Sequence, residues 1–277
     1  MKSETGIILV PTFIVMLVLV AIATGFLYMT SIQIKGIGWD LPSSRALWLA
    51  EAGVQKAIWN LKTPVGSGGQ GENWTTTGTT ESLGSGTYSM VVVRYDFALA
   101  ANGASASDSP SQTSSSLAPA NANDGSDSTY WESLQKPANN DPQDLILSFP
   151  YPLTVNKVRF LAASSNERPK DYTWGVSTDG STYTTVVSVN NNNNTDVTDT
   201  FTASSNVNYL RLRTTKIGSG NNSVRIATLE AIGSKISSTG TVNSLNREIE
   251  QTVVTDDSSP QNQVAYNEPD WNEIPPA

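Results

Sequence analysis

The chain has no cysteine and no histidine among its 277 residues. Without cysteine there is no disulfide framework, no thiolate nucleophile and no Cys/His zinc site. Without histidine there is no Ser-His-Asp triad and no imidazole acid–base chemistry. Charge is scarce too. Asp, Glu, Lys and Arg make up 15% of the chain, and Ser, Thr, Asn and Gly fill the deficit. The 17 basic side chains are outnumbered by 25 acidic ones, for a net charge of −8. Nucleic acid needs a basic face, so no nucleic acid partner is expected. What stays open is carboxylate, lysine or tyrosine chemistry, hard oxygen-ligated cations, or binding without catalysis. A sparsely charged surface rich in Ser, Thr and Asn suits an extracellular domain.

What the sequence does have begins at its start. From Ile7 to Met29 no side chain is charged, and the first charge after Glu4 is Lys35. These 23 residues, as a helix, span roughly 35 Å, enough to cross a bilayer core. A cleaved secretory signal would have a shorter apolar region and a small-x-small site. Beyond the run, Ala46, Leu49, Ala50, Gly53, Ala57, Ile58 and Leu61 recur at three- and four-residue steps, an amphipathic helical stripe. Ser43 or Ser44 is positioned to cap this second helix. Pro42, Gly36 and Gly38 predict a kink or break between the two halves. The plain reading of this region is a single-pass anchor with a juxtamembrane helix.

Residues 63–86, rich in Gly, Thr and Ser, read as a loop. Thr87–Asp96 reads as a strand, and so does part of Lys235–Thr255. About 140 residues separate these two runs, which predicts an inserted domain from about 105 to 233. Within it, Asp144–Phe149, Val155–Leu161, Tyr172–Ser177, Tyr183–Val189, Asp199–Ala203, Tyr209–Thr214 and Ala227–Gly233 read as short strands of a β-sandwich. Asp179-Gly180 is a hairpin turn by chemistry, and Asn190–Asn194 a solvated loop tip. The final residues, 256–277, hold five acids, four prolines and no base, and read as an extended or disordered tail, either tacked to the sheet by Tyr266 and Trp271 or hanging free. The expected fold is α+β: a long N-terminal helix with a small antiparallel sheet, plus an inserted all-β sandwich. Acidic residues show no pattern that singles out a catalytic pair, and no phosphate-cradling glycine loop is present, so no enzymatic activity is expected.

MKSETG followed by IILVPTFIVMLVLVAIATGFLYM, and then LWLAEAGVQKAIWNL, resembles the N-terminus of type IV pilin-like proteins. The resemblance implies a leader over 1–6 and prepilin peptidase cleavage after Gly6. Ile7 would become a methylated mature N-terminus. It implies a transmembrane part over 7–34 and a pilin-like helix and sheet over 35–104 and 234–255. It places the N-terminus in the cytoplasm and the bulk of the chain in the periplasm or outside the cell. The implied partners are other pilin-like subunits and the inner-membrane assembly platform of a pilus or secretion pseudopilus. The AEAG run, Ala50–Gly53, resembles minor pilins and K-type minor pseudopilins. Most pilins carry glutamate at the fifth mature position, where this chain has Pro11. K-type subunits also lack that glutamate, which favours a minor, tip-located subunit. Proline near a helix start is tolerated because the first amides lack partners.

Ala120 and Asp124-Gly125, then Thr129 and Trp131, resemble the opening of a discoidin (factor V/VIII C-type) domain. The pattern continues with Val158–Phe160, the Ser177, Asp179, Gly180 hairpin, the Tyr209–Arg213 strand and a closing Glu230, Gly233. This resemblance implies a jelly-roll-like sandwich that binds glycans, lipids or proteins through loops at one end, with Trp131 in the core. It also implies a structural calcium ion, Ca2+, held by Asn123, Asp124, Asp127, Thr129 and Glu230, since hard oxygens suit that cation. Tyr130, Asn166, Glu167, Arg168 and Lys170 are the candidate glycan-binding residues, because amides and guanidiniums donate to sugar hydroxyls and aromatic faces stack on pyranose rings.

Overall fold

The computed structural model describes residues 9–111, 114–219, 223–256, 263–266 and 272–274. Gly6, Ile7 and Trp271 lie outside the described residues. One helix, α1 (Leu9–Lys62), opens the chain and runs unbroken for 54 residues, about 80 Å. Gly36, Gly38 and Pro42 do not interrupt it, contrary to the expected joint. A proline removes a single backbone hydrogen bond, and the turns on both sides keep theirs. Ser43 caps nothing; its hydroxyl accepts from Arg247 Nε at 2.9 Å and from Nη2 at 2.7 Å, pinning the helix to the sheet. Within α1, Thr12–Ser31 has a mean hydropathy of 2.4 and is wholly exposed. By length and composition it is able to cross a membrane, a test that a signal sequence near an N-terminus also passes.

The lower helix packs on a small antiparallel sheet. Its strands are β1 (Thr76–Leu83) and β2 (Gly86–Asp96), which form a hairpin with Leu83 opposite Gly86. The expected loop over 63–86 thus contains a strand, built from threonines that suit a pleated surface. The sandwich follows. Its strands are β3 (Ser105–Ser109), β4 (Trp131–Glu132), β5 (Gln143–Ala162), β6 (Pro169–Ser177), β7 (Thr184–Val189) and β8 (Asp196–Ile217). Strands expected singly are fused: β5 joins two of them, and so does β8. Then β9 (Arg225–Val242) pairs with β4 and β5 at its start and with β2 at its end, so one strand belongs to both sheets. β10 (Leu245–Asp256) pairs with β9. The tail segments β11 (Gln263–Tyr266) and β12 (Asn272–Ile274) pair with β10, so these parts of the tail are strands and not free chain.

Two apolar cores result. One fills the sandwich around Trp131, Trp174, Phe160, Leu145, Leu210 and Leu229, and it reaches out to Phe97 and Ala98. The sandwich core therefore begins a few residues before the expected boundary at 105. Trp131 is buried, as expected, and donates its indole N–H to Asp108 Oδ2 at 2.8 Å. The other core lies between α1 and the small sheet: Ala46, Ala50, Val54, Ala57 and Leu61 against Met90, Val92, Ile236 and Val253. Here the backbones come unusually close. A Cβ on Gly240 would lie 2.5 Å from the Ala50 amide nitrogen and collide with the Ala46 carbonyl, and one on Gly53 would collide with Ser238 Oγ.

Asp96 sits where β2 hands the chain to the sandwich. Its Oδ1 accepts from Ala98 N at 2.9 Å and from Ala231 N at 3.0 Å. Burial pushes its pKa up to about 7; Glu230 adds to the rise, while the two amides and Arg94 oppose it. A carboxyl raised in the fold favours the protonated form there. Its contribution is complete below about pH 4, the unfolded value, and is lost as pH rises through about 7. Thermal denaturation across pH 5 to 8 is expected to show stability falling with pH. Asp96→Asn, which removes the charge and keeps an acceptor oxygen, should flatten that slope. Gly240→Ala should cost about 1–3 kcal/mol by overpacking the helix–strand contact, read from the same melts.

Candidate functional site

At one end of the sandwich three segments meet: the approach to β4, the loop between β5 and β6, and the start of β9. Arg225, the first residue of β9, is central. Its Nε donates to Glu132 Oε2 at 2.8 Å, and its Nη1 lies 2.9 Å from Glu167 Oε1. The same guanidinium sits over the Tyr130 ring, 5.1 Å from the centroid. Ser223 Oγ donates to Glu132 Oε1 at 2.6 Å, and Ser164 Oγ donates to Glu167 Oε2 at 2.8 Å. Burial works against the Glu132 charge, but the hydrogen bonds from Arg225 and Ser223 and the Arg225 charge outweigh it, so its pKa is lowered. The Glu132 hydrogen bond in turn raises the Arg225 pKa, against a smaller burial penalty. Both groups stay ionised at neutral pH.

The expected ligand residues thus divide. Tyr130 and Glu167 join this cluster. Asn166 stands beside it, its Oδ1 accepting from Ser219 Oγ at 2.8 Å. Arg168 turns to the asparagine loop: its Nε donates to the Asn192 carbonyl at 3.2 Å and its Nη2 to Asn193 Oδ1 at 3.1 Å, with a further bond to the Ser165 carbonyl. It braces two loops against each other. Lys170 lies on β6, and its carbonyl accepts from Asn192 N at 2.8 Å. The asparagine run is not simply solvated. Asn192 is buried, and its side-chain amide donates to the Pro169 and Asn194 carbonyls at 2.8 and 2.9 Å. Arg225 and Ser223 were missed from sequence. Neither stands in a motif, and Arg225 reaches Glu132 across 93 residues of chain.

The five residues expected around calcium are not brought together. Asp124 and Thr129 meet, with the Thr129 hydroxyl donating to Asp124 Oδ2 at 2.7 Å, and Ser126 N donates to Asp124 Oδ1 at 2.8 Å. The Asn123 side chain turns inward and donates to the Ala98 and Ala104 carbonyls at 3.0 and 3.4 Å. Asp127 Oδ1 accepts from Thr228 Oγ1 at 2.6 Å. Glu230 lies one pleat repeat further along β9, where it is held by Arg94 and, at 3.1 Å, by Arg159 Nη1. Among the described residues no group of three or more acidic side chains is placed to hold a metal ion. Asp124 and Thr129 together offer a carboxylate and a hydroxyl, two of the six to eight oxygens that calcium takes.

The cluster offers an aromatic surface, donors and carboxylate acceptors side by side, on loops carried by a rigid sandwich. Glu132 is not suited to be a general acid: that role needs a raised carboxyl pKa, and Glu132 is shifted the other way.

None of the curated proteins matches the chain. Among solved structures, the chain is similar to chitosan-binding module 1 of a chitosanase/glucanase from Paenibacillus sp. IK-5, at 26% identity and a TM-score of 0.44, over 51% of this chain and all of that one. It is similar to chitosan-binding module 2 of the same enzyme in complex with chitotriose, at 21% identity and a TM-score of 0.42, over 50% of this chain and 98% of that one. A family 32 carbohydrate-binding module from Clostridium perfringens in complex with galactose matches at 17% identity and a TM-score of 0.41, over 50% of this chain and 99% of that one. The family model of the F5/8 type C domain matches residues 103–229. Those residues therefore carry an F5/8 type C domain, set within a chain whose helix and second sheet lie outside the match.

Proposed function

We propose that this chain is a pilin-like subunit that displays a glycan-binding F5/8 type C domain. The observation that carries the binding half is the Tyr130, Arg225, Glu132 and Glu167 cluster at one end of that domain. A sugar ring needs an apolar face for its C–H groups and paired donors and acceptors for its hydroxyls, and the cluster sets these side by side. Neither carboxylate has to move a proton for this, so the role is binding and not catalysis.

The helix supports the pilin half. The face of α1 turned away from the sheet carries Trp48, 67% exposed, and Trp59, 44% exposed. It continues, through an unbroken helix, into the apolar stretch Thr12–Ser31. Tryptophans exposed along one helix face suit a helix that packs against its own kind. The second reading is a single-pass anchored glycan-binding protein that never assembles. The apolar stretch favours it equally.

Two measurements separate these statements. Binding to a glycan panel is expected to weaken about tenfold, or about 1.4 kcal/mol, in Tyr130→Ala. Equal binding by the variant would remove the cluster from the function. Intact-mass analysis of chain produced in a host with prepilin peptidase is expected to find an N-methylated Ile7 at the start. An intact Met1 would leave the plain anchor as the better reading.

A further inference from the structure

A second concavity lies far from the loop cluster, where the helix-backed sheet meets the sandwich. It has a volume of about 480 Å³. Small-molecule sites run from about 300 to 1,000 Å³, so this is room for one or two sugar rings. One wall is the loop that follows α1, with Trp74 and Thr75; the other is Asn156 and Lys157 of β5 and Thr198 of β8. Arg94 stands at the rim, its side chain 50% exposed. None of the residues of the Tyr130–Arg225 cluster takes part. The cleft exists only because the two units are joined, since each supplies one wall.

Its chemistry can be sorted by charge. Lys157 Nζ lies 2.9 Å from Glu72 Oε1 and donates to Asn73 Oδ1 at 3.0 Å. That ion pair ties the walls together. Arg94 is paired with Glu230. Each cation in the lining thus already faces a carboxylate, Lys157 within the cleft and Arg94 just outside it, which leaves little charge to select an ionic ligand. What it presents beyond those pairs is neutral. Thr75 and Thr198 line it with hydroxyls, and the Asn73 amide, whose oxygen accepts from Lys157, stands beside them. Trp74 packs partly against the helix–sheet core and otherwise lines the cleft. An indole surface ringed by hydroxyls and amides matches a ligand with apolar C–H faces and equatorial hydroxyls.

We propose that this junction cleft is a second binding site, for a neutral saccharide of one or two rings. A ligand there touches both walls, so it also braces the sandwich against the helix-backed sheet. The proposal does not depend on the loop-end site.

The test uses the full chain in detergent micelles. Glucose, galactose, N-acetylglucosamine, lactose and chitobiose are titrated by calorimetry and saturation-transfer NMR. The Tyr130→Ala chain silences the loop end. At least one of these sugars is expected to bind that chain, and to bind tenfold or more weakly once Thr198→Tyr is added. Thr198 is exposed on a strand, where tyrosine is well tolerated, so this variant fills the cleft without disturbing a core. Trp74→Phe, which keeps a ring against the helix–sheet core, should weaken the same sugar. If Tyr130→Ala alone abolishes all binding, the loop-end reading stands and the cleft proposal is overturned. If Thr198→Tyr and Trp74→Phe leave binding unchanged, or no sugar of the panel binds at all, the cleft is likewise not a saccharide site.

Discussion

The structure depends on one strand being shared. β9 leaves the sandwich and enters the helix-backed sheet without a break, hydrogen-bonded to β5 at one end and to β2 and β10 at the other. Its side chains alternate, so the two cores sit on opposite faces of it: Leu229 and Ala231 point into the sandwich, while Ile236 faces the helix. β10 does the same with adjacent residues, Val253 on the helix side and Val254 on the sandwich side. A slip of one residue in this strand would turn both cores inside out at once. Register is therefore specified twice over, by two apolar clusters that share no side chain.

The helix constrains the strand as firmly as the sandwich does. Gly240 allows contact between backbones that any side chain would hold apart, and Gly53 leaves room for the Ser238 side chain. Close contact brings Ser43 within reach of Arg247 and sets the end of the helix where its following loop can meet Lys157. The junction is then held by a strand in common, by a helix locked to that strand, and by an ion pair across the cleft. The half-buried Asp96 belongs to this junction, with its charge opposed by the same burial that closes it.

Much of this was legible in the sequence wherever the cause is local. The Ala46–Leu61 stripe, the apolar run and the Asp179-Gly180 turn follow from spacing and side-chain type, and the burial of Trp131 from the family resemblance. The failures have a common origin in distant partners. Pro42 reads as a break because a proline weakens a helix locally, and the sequence does not show that the turns beyond it are clamped to a sheet. β1 and the tail strands have weak patterns and become strands through pairing. In the candidate site Tyr130 and Glu167 were visible as loop residues of the right type. Arg225 was not, because its significance lies in two carboxylates far off in the chain. Asn192 reads as one of five similar residues until its amide is found satisfying the Pro169 and Asn194 carbonyls. Glu230 fits a spacing pattern, yet pleat geometry sends it to arginines instead.

Where the sandwich joins the small sheet, Tyr95 lies opposite Gly233 and Asp96 opposite Ile232, on neighbouring antiparallel strands. Such partners are only about 5 Å apart. The whole intervening unit thus hangs from two adjacent points, a gap that a tight turn spans. In evolutionary terms this makes the sandwich a cassette. A hairpin is enough to close the same gap, and another recognition module with closely spaced termini could be grafted there while the helix keeps its partners.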